Sequence, residues 1–140
     1  MSKVTKKYHV AAIAAQDLDL VWSEVKDYIQ LAIDRGMGTH LVEDVYKEIA
    51  SGRNVLWVIS DEEKPYGACV ASIQQWPRIR TCLLHFCAGE DFKHWVMDLL
   101  ARIKAWAKMN DAQVVEVIGR RGWIKACGFK ESAAHMYVEV

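Results

Sequence analysis

Near its start and through its middle the chain carries short apolar blocks. Between them, apolar residues recur at helical spacing. The first block, Tyr8 to Ile13, predicts a strand. Asp17 then stands where an N-cap belongs, ahead of Leu18, Val21, Trp22, Val25, Tyr28, Ile29, Ala32 and Ile33, which share one helical face that Gly36 and Gly38 bring to an end. Thr39 is placed to cap a second helix carrying Leu41, Val42, Val45, Tyr46 and Ile49 and stopped by Gly52. Val55 to Ile59, the polar turn Asp61-Glu62-Glu63-Lys64-Pro65 and Gly67 to Ile73 read as a hairpin. Another strand, Thr81 to Cys87, follows Pro77. Trp95, Val96, Leu99, Leu100, Ile103, Trp106 and Ala107 form the stripe of the longest helix, Asp91 to Lys108, with Leu99 and Trp106 expected to be buried against a sheet. A strand from Val114 to Ile118, a short helix reaching Cys127 and a last strand from Ala134 to Val140 complete the pattern.

The 140 residues, 52% apolar, suffice for one core, so residues 1–140 are expected to form a single domain. Eighteen basic residues balance eighteen acidic ones, which removes the electrostatic ground for a nucleic-acid or membrane-surface partner. The four cysteines, Cys69, Cys82, Cys87 and Cys127, lack the close pairing of a structural zinc site, and no metal is expected. They sit in apolar segments, as small buried hydrophobes do in a reducing compartment, and no long apolar run follows the basic start Met1 to Lys7. A cytoplasmic protein is the expectation. The six tryptophans are read as core and sheet packing, with an aromatic contact surface as the alternative.

The most telling stretch is Val114-Val115-Glu116-Val117-Ile118-Gly119-Arg120-Arg121-Gly122-Trp123-Ile124-Lys125-Ala126-Cys127-Gly128-Phe129. Its apolar strand, short helix and Gly-Phe, together with Leu99-Leu100 and Ala107 on the long helix and the order of elements along nearly the whole chain, resemble the Gcn5-related N-acetyltransferases (GNAT). The resemblance implies a single-domain α/β (α+β) fold, a mixed twisted sheet flanked by about four helices. Because a helix crosses between them, the strands Thr81 to Cys87 and Val114 to Ile118 should run parallel. The Gly-Arg-Arg-Gly-Trp turn is similar to that of compact GNAT-like proteins of tailed bacteriophages, some of which are virion components. Such a protein would act in the host cytoplasm or in the virion.

The same resemblance implies acetyl-CoA in a cleft between those two strands, with an amine as acceptor. Phe86, Cys87 and Gly89 would flank the cofactor, and Lys93, His94 and Trp95 would open the helix that holds its pyrophosphate. Arg120, and with it Arg121, would offer guanidinium groups to a phosphate or carboxylate. The family's Arg/Gln-x-x-Gly-x-Gly loop falls on Asp91 to Val96, so a carboxylate replaces the first residue and His94 and Val96 replace the glycines; Lys93 and His94 are then the side-chain donors available in their place. Asp91 is better suited to capping the helix. The frequent tyrosine acid falls on Ile124, which has no proton to give. His85, beside the expected acetyl group, is the candidate general base, with Tyr137, His135 and Glu116 behind it. Two functions follow: acetyl transfer from acetyl-CoA to an amine, or a catalytically inactive GNAT-fold phage protein that binds protein partners. A thiol enzyme using Cys87 or Cys127 would need a nearby base that the spacing does not supply.

Overall fold

The computed structural model describes residues 7–119 and 121–140. Its elements are β1 (His9–Ile13), a 3₁₀ turn, α1 (Leu18–Asp34), α2 (Val42–Ala50), β2 (Val55–Ser60), β3 (Pro65–Gln75), β4 (Arg80–Gly89), α3 (Phe92–Met109), β5 (Val114–Val117) and α4 (Gly122–Cys127). The strands make one sheet in the order β1-β2-β3-β4-β5. The first three pairings are antiparallel and β4–β5 is parallel, as the α3 crossover requires. This is the expected mixed α+β architecture.

Helices cover both faces of the sheet. Val25 and Ile29 of α1 and Val45 and Ile49 of α2 bury against Leu56, Val58, Ala68 and Val70 on one face. On the other, Trp95, Val96, Leu99 and Ile103 of α3 meet Trp57, Ile59, Cys69, Ala71 and Leu84. Two-sided burial explains why β2 and β3 read as unbroken apolar runs rather than as alternating ones. Trp57, Trp95 and Trp123 are core residues, whereas Trp106 is only half-buried and stands edge-on to Trp57 at 5.8 Å. Of the two stripe residues expected to be buried, Leu99 is and Trp106 is not fully so. Among the described residues no helix is long and apolar enough to cross a membrane.

Local chemistry departs from the sequence pattern at the helix ends and the tail. Asp17 does occupy the N-cap of α1, but the 3₁₀ turn before it turns the chain and its side chain makes no capping bond. Thr39 does not cap α2; its hydroxyl pairs with His40 Nδ1 at 2.8 Å, while Asp44 accepts the Leu41 N–H at 2.8 Å. Asp91 sits at the N-cap of α3 in the left-handed region, φ 58°, again without a side-chain cap bond. The strand expected from Ala134 to Val140 does not form. That segment is exposed and has no ladder partner, because the sheet stops at β5.

Candidate functional site

β4 and β5 share only four register pairs, from Thr81↔Val114 to Leu84↔Val117, and a last bond runs from the Ile118 N–H to the Leu84 carbonyl at 3.3 Å. β4 continues to Gly89 beyond that point, while the chain after β5 turns into α4. From His85 onward the two strands therefore part, and among the described residues the β5-facing edge of β4 is open for backbone hydrogen bonds.

His85 stands at the start of this opening for a local reason. Opposite β3, Val70 pairs with Phe86 and Ala71 with Leu84, so His85 is the extra residue of a β-bulge. Bulges bend a strand and re-aim a side chain. The bulged ring reaches across to β3, where its Nε2 lies 2.6 Å from Ser72 Oγ, and Gln74 Nε2 donates to that same oxygen at 2.8 Å. Burial, the largest influence, holds the His85 imidazole below its ordinary value, and His40 acts in the same direction; the carboxylates of Glu48 and Glu116 oppose it. The neutral ring with a free lone pair is thereby favoured near neutral pH.

Neighbouring groups build a polar rim. His40, in the α1–α2 connection, lies edge-on to Phe86 at 5.2 Å and 3.4 Å from Glu48 Oε1. Glu116 of β5 is held by Thr81 Oγ1 at 2.5 Å and Trp76 Nε1 at 2.8 Å, so it is a fixed acceptor rather than a mobile base. The two weaker candidates on the tail, His135 and Tyr137, lie on the exposed, unpaired segment and are not brought to His85 by any strand. Sequence reasoning missed Ser72, Gln74 and His40. The available signal was a buried hydroxyl in the otherwise apolar run of β3, Ser72 being 3% exposed.

At the far end of β4, Gly89 is required by packing. A Cβ there would lie 2.3 Å from the Tyr66 carbonyl oxygen and 2.6 Å from Gly67 Cα. Its missing side chain thus lets β3, β4 and α3 close on one another. Trp95 is fully buried beneath it, with the indole N–H given to the Glu90 carbonyl at 2.5 Å, so only its backbone faces the helix opening. Lys93 and His94 are exposed at that opening. Val96, which fills a glycine position of the family loop, is buried in the core at 1% exposure.

The acidic pair ahead of α3 is engaged elsewhere. Glu90 binds Lys64 at 2.9 Å and Tyr28 at 3.3 Å, and Lys64 holds its carboxyl below the usual range. Asp91 accepts from the Tyr8 hydroxyl at 3.1 Å. The first turn of α3 carries no acidic side chain, but its N-cap is Asp91, whose carbonyl accepts the His94 N–H at 2.8 Å and whose carboxylate stands beside the partial positive end of the helix.

Phe86 packs toward the α1–α2 face and Cys87 toward Cys69, its register partner. Burial pushes the Cys127 thiol up and the Cys82 thiol up to about 12, and Cys69 is raised by its hydrogen bond with Cys87 and by burial. Neither chemistry nor position makes an activated thiolate of Cys127. Arg121 ion-pairs with Glu131 at 3.4 Å on the surface. Arg120 lies outside the described residues. On α4, Ile124 is partly exposed and offers no acid. A groove of about 430 Å³ lies away from this opening, at the other end of β5 between α3 and α4.

No protein-family model and no curated protein matches the chain. Solved structures do. A GCN5-related N-acetyltransferase from Ralstonia eutropha superposes with a TM-score of 0.68 at 12% identity, over 96% of this chain and 99% of that one. A predicted acetyltransferase with acetyl-CoA from Clostridium acetobutylicum gives 0.67 at 13% identity, over 95% and 96%. An aminoglycoside acetyltransferase from an uncultured soil metagenomic sample, in complex with sisomicin, gives 0.68 at 12% identity, over 95% and 96%. The chain has the GNAT fold.

Proposed function

We propose that this protein is an N-acetyltransferase that moves an acetyl group from acetyl-CoA to an amine, acting as one domain in the cytoplasm. One observation carries the reading: the bulged His85, held at Ser72, at the point where β4 and β5 part. The residues present fit the cofactor. The open edge of β4 offers backbone groups, the start of α3 offers its partial positive end despite the Asp91 carboxylate, and Lys93 and His94 add side-chain donors. When bound, acetyl-CoA supplies a thioester whose acetyl carbon a neutral amine attacks, so that a C–N bond forms, the C–S bond breaks and coenzyme A leaves as its thiol.

The protein's part is proton handling and positioning. With Nε2–H donating to Ser72 Oγ, His85 keeps its Nδ1 lone pair to take the proton of an incoming ammonium. The resulting imidazolium is favoured by Glu48 and Glu116, which also draw a cationic acceptor toward the opening. With Ile124 unable to donate, the departing thiolate would take up the proton that the attacking nitrogen sheds, passed through solvent, and orientation between β4 and β5 supplies much of the rate.

Asp91→Asn keeps a side chain that tolerates the left-handed backbone and removes a negative charge beside the phosphates; it should tighten acetyl-CoA binding by about threefold to tenfold. Lys93→Ala should weaken it on a similar scale, and added salt should erode the difference. Titration calorimetry at two ionic strengths checks both. Equal affinities in parent, Asp91→Asn and Lys93→Ala would remove the phosphate from the start of α3.

A second reading is favoured by Ile124 and the glycine-free loop: a non-catalytic GNAT-fold protein of the tailed-phage kind, serving protein contacts. It predicts no acetyl-CoA binding at all.

A further inference from the structure

All four thiols of the chain gather on one face of the sheet. Cys69 of β3 and Cys82 of β4 are buried in the α3-side core, and Cys87 of β4 and Cys127 of α4 pack against the same cluster. Two of them stand opposite each other. In the β3–β4 register Cys69 pairs with Cys87, one rung beyond the Val70–Phe86 pair that borders the His85 bulge. Side chains of an opposed antiparallel pair leave the sheet on the same face. In either kind of antiparallel pair the Cα atoms lie about 4.5–5.5 Å apart, inside the span that a disulfide bridges.

The paired sulfurs differ in reach. Cys69 is wholly buried, and a hydrogen bond to Cys87 together with burial pushes its thiol up. Cys87 is partly exposed, on the length of β4 that extends past the last β5 pairing. A small oxidant in solvent therefore meets Cys87 first, with Cys69 in contact behind it. The other two cysteines are worse placed to close a bond. Cys82 pairs with Ile73 across the ladder, and burial raises its thiol to about 12. Cys127 stands on α4, outside any ladder, and lines the groove that holds Lys104. Its thiol responds to both Lys104 and Cys87, which makes it the competing partner.

We propose that Cys69 and Cys87 form a redox-modification site, at which a hydroperoxide oxidises Cys87 and Cys69 closes a reversible cross-strand disulfide. The Cys87 thiolate attacks the peroxide, an S–O bond forms, the O–O bond breaks, and water or an alcohol leaves. The Cys69 sulfur then attacks the Cys87 sulfenic acid; an S–S bond forms and the hydroxyl departs as water with the Cys69 proton. Two thiols are oxidised to one disulfide and the hydroperoxide is reduced. Because the Cys69 thiol is shielded and held protonated, closure is the slower step and the sulfenic acid builds up first. The new rung staples β3 to β4 beside the bulge that aims His85. The inference is independent of the acetyl-transfer reading.

Treated with a small excess of hydrogen peroxide, the reduced full chain should lose two of its four titratable thiols and about 2 Da of mass, and dithiothreitol should restore both. Peptide mapping without reduction should join Cys69 to Cys87. Cys69→Ala should stop at the sulfenic acid, about 16 Da heavier and trapped by dimedone on Cys87. Cys127→Ser, which leaves the opposed pair in place, should form the same link at the parent's rate. If Cys69→Ala does not fold, the peptide maps of the parent and of Cys127→Ser decide alone. A Cys87–Cys127 link, four thiols remaining after treatment, or oxidation of Cys87 to the sulfinic acid with no disulfide would each overturn the proposal.

Discussion

His85→Gln is expected to lower kcat/KM for amine acetylation by roughly 10²–10⁴-fold, the range for removing a positioned general base. Its effect on acetyl-CoA affinity should be small, because the ring faces Ser72 and the acidic residues rather than the start of α3. The pH profile separates this from a structural role. Burial lowers the His85 pKa, so the base form persists to more acidic pH and the acid limb of kcat/KM should fall below the ordinary histidine value of about 6.5. The limb should vanish in His85→Gln. For stability, the unfolded chain protonates this residue first as pH falls, so the folded state loses stability from the unfolded value down through the lowered one. Full activity and an unchanged acid limb in His85→Gln would remove the residue from the chemistry. Ser72→Ala should move the limb while leaving a reduced activity, as befits a positioning residue.

Leu99→Ala is expected to destabilise the fold by about 2–5 kcal/mol. Leu99 is fully buried at the centre of the α3 face, among Trp95, Ile103, Leu84 and Ala71, where no solvent can refill the space and two layers hold the walls apart. A denaturant midpoint that drops with an unchanged slope is the result to look for. An unchanged midpoint would mean that α3 is not docked on the sheet.

Much of this fold was legible because its causes are periodic. The stripe from Trp95 to Ala107 and the runs in β2 and β3 fixed the elements, and a helix between β4 and β5 forced them parallel. Caps were not legible. Asp17, Thr39 and Asp91 are the right residue types for capping, but competing partners and the 3₁₀ turn decided what each side chain does. The tail kept its strand alternation without a strand, since a ladder needs a neighbour that no local pattern supplies. At the site, His85 stood out as a titratable residue in an apolar strand, but the bulge that aims it is a matter of register and could not be seen. Val96, read in the sequence only as the replacement of a loop glycine, proved to be core, because the helix begins at Phe92 and turns that side chain inward.

The central claim is that acetyl-CoA binds where β4 and β5 part. Titration calorimetry of the full chain with acetyl-CoA, run in parallel on the Asp91→Asn protein, tests it most directly. The account predicts saturable heat in the parent, tighter binding in Asp91→Asn and weakening with salt. No heat at millimolar acetyl-CoA in either protein would contradict it and leave a GNAT fold put to another use.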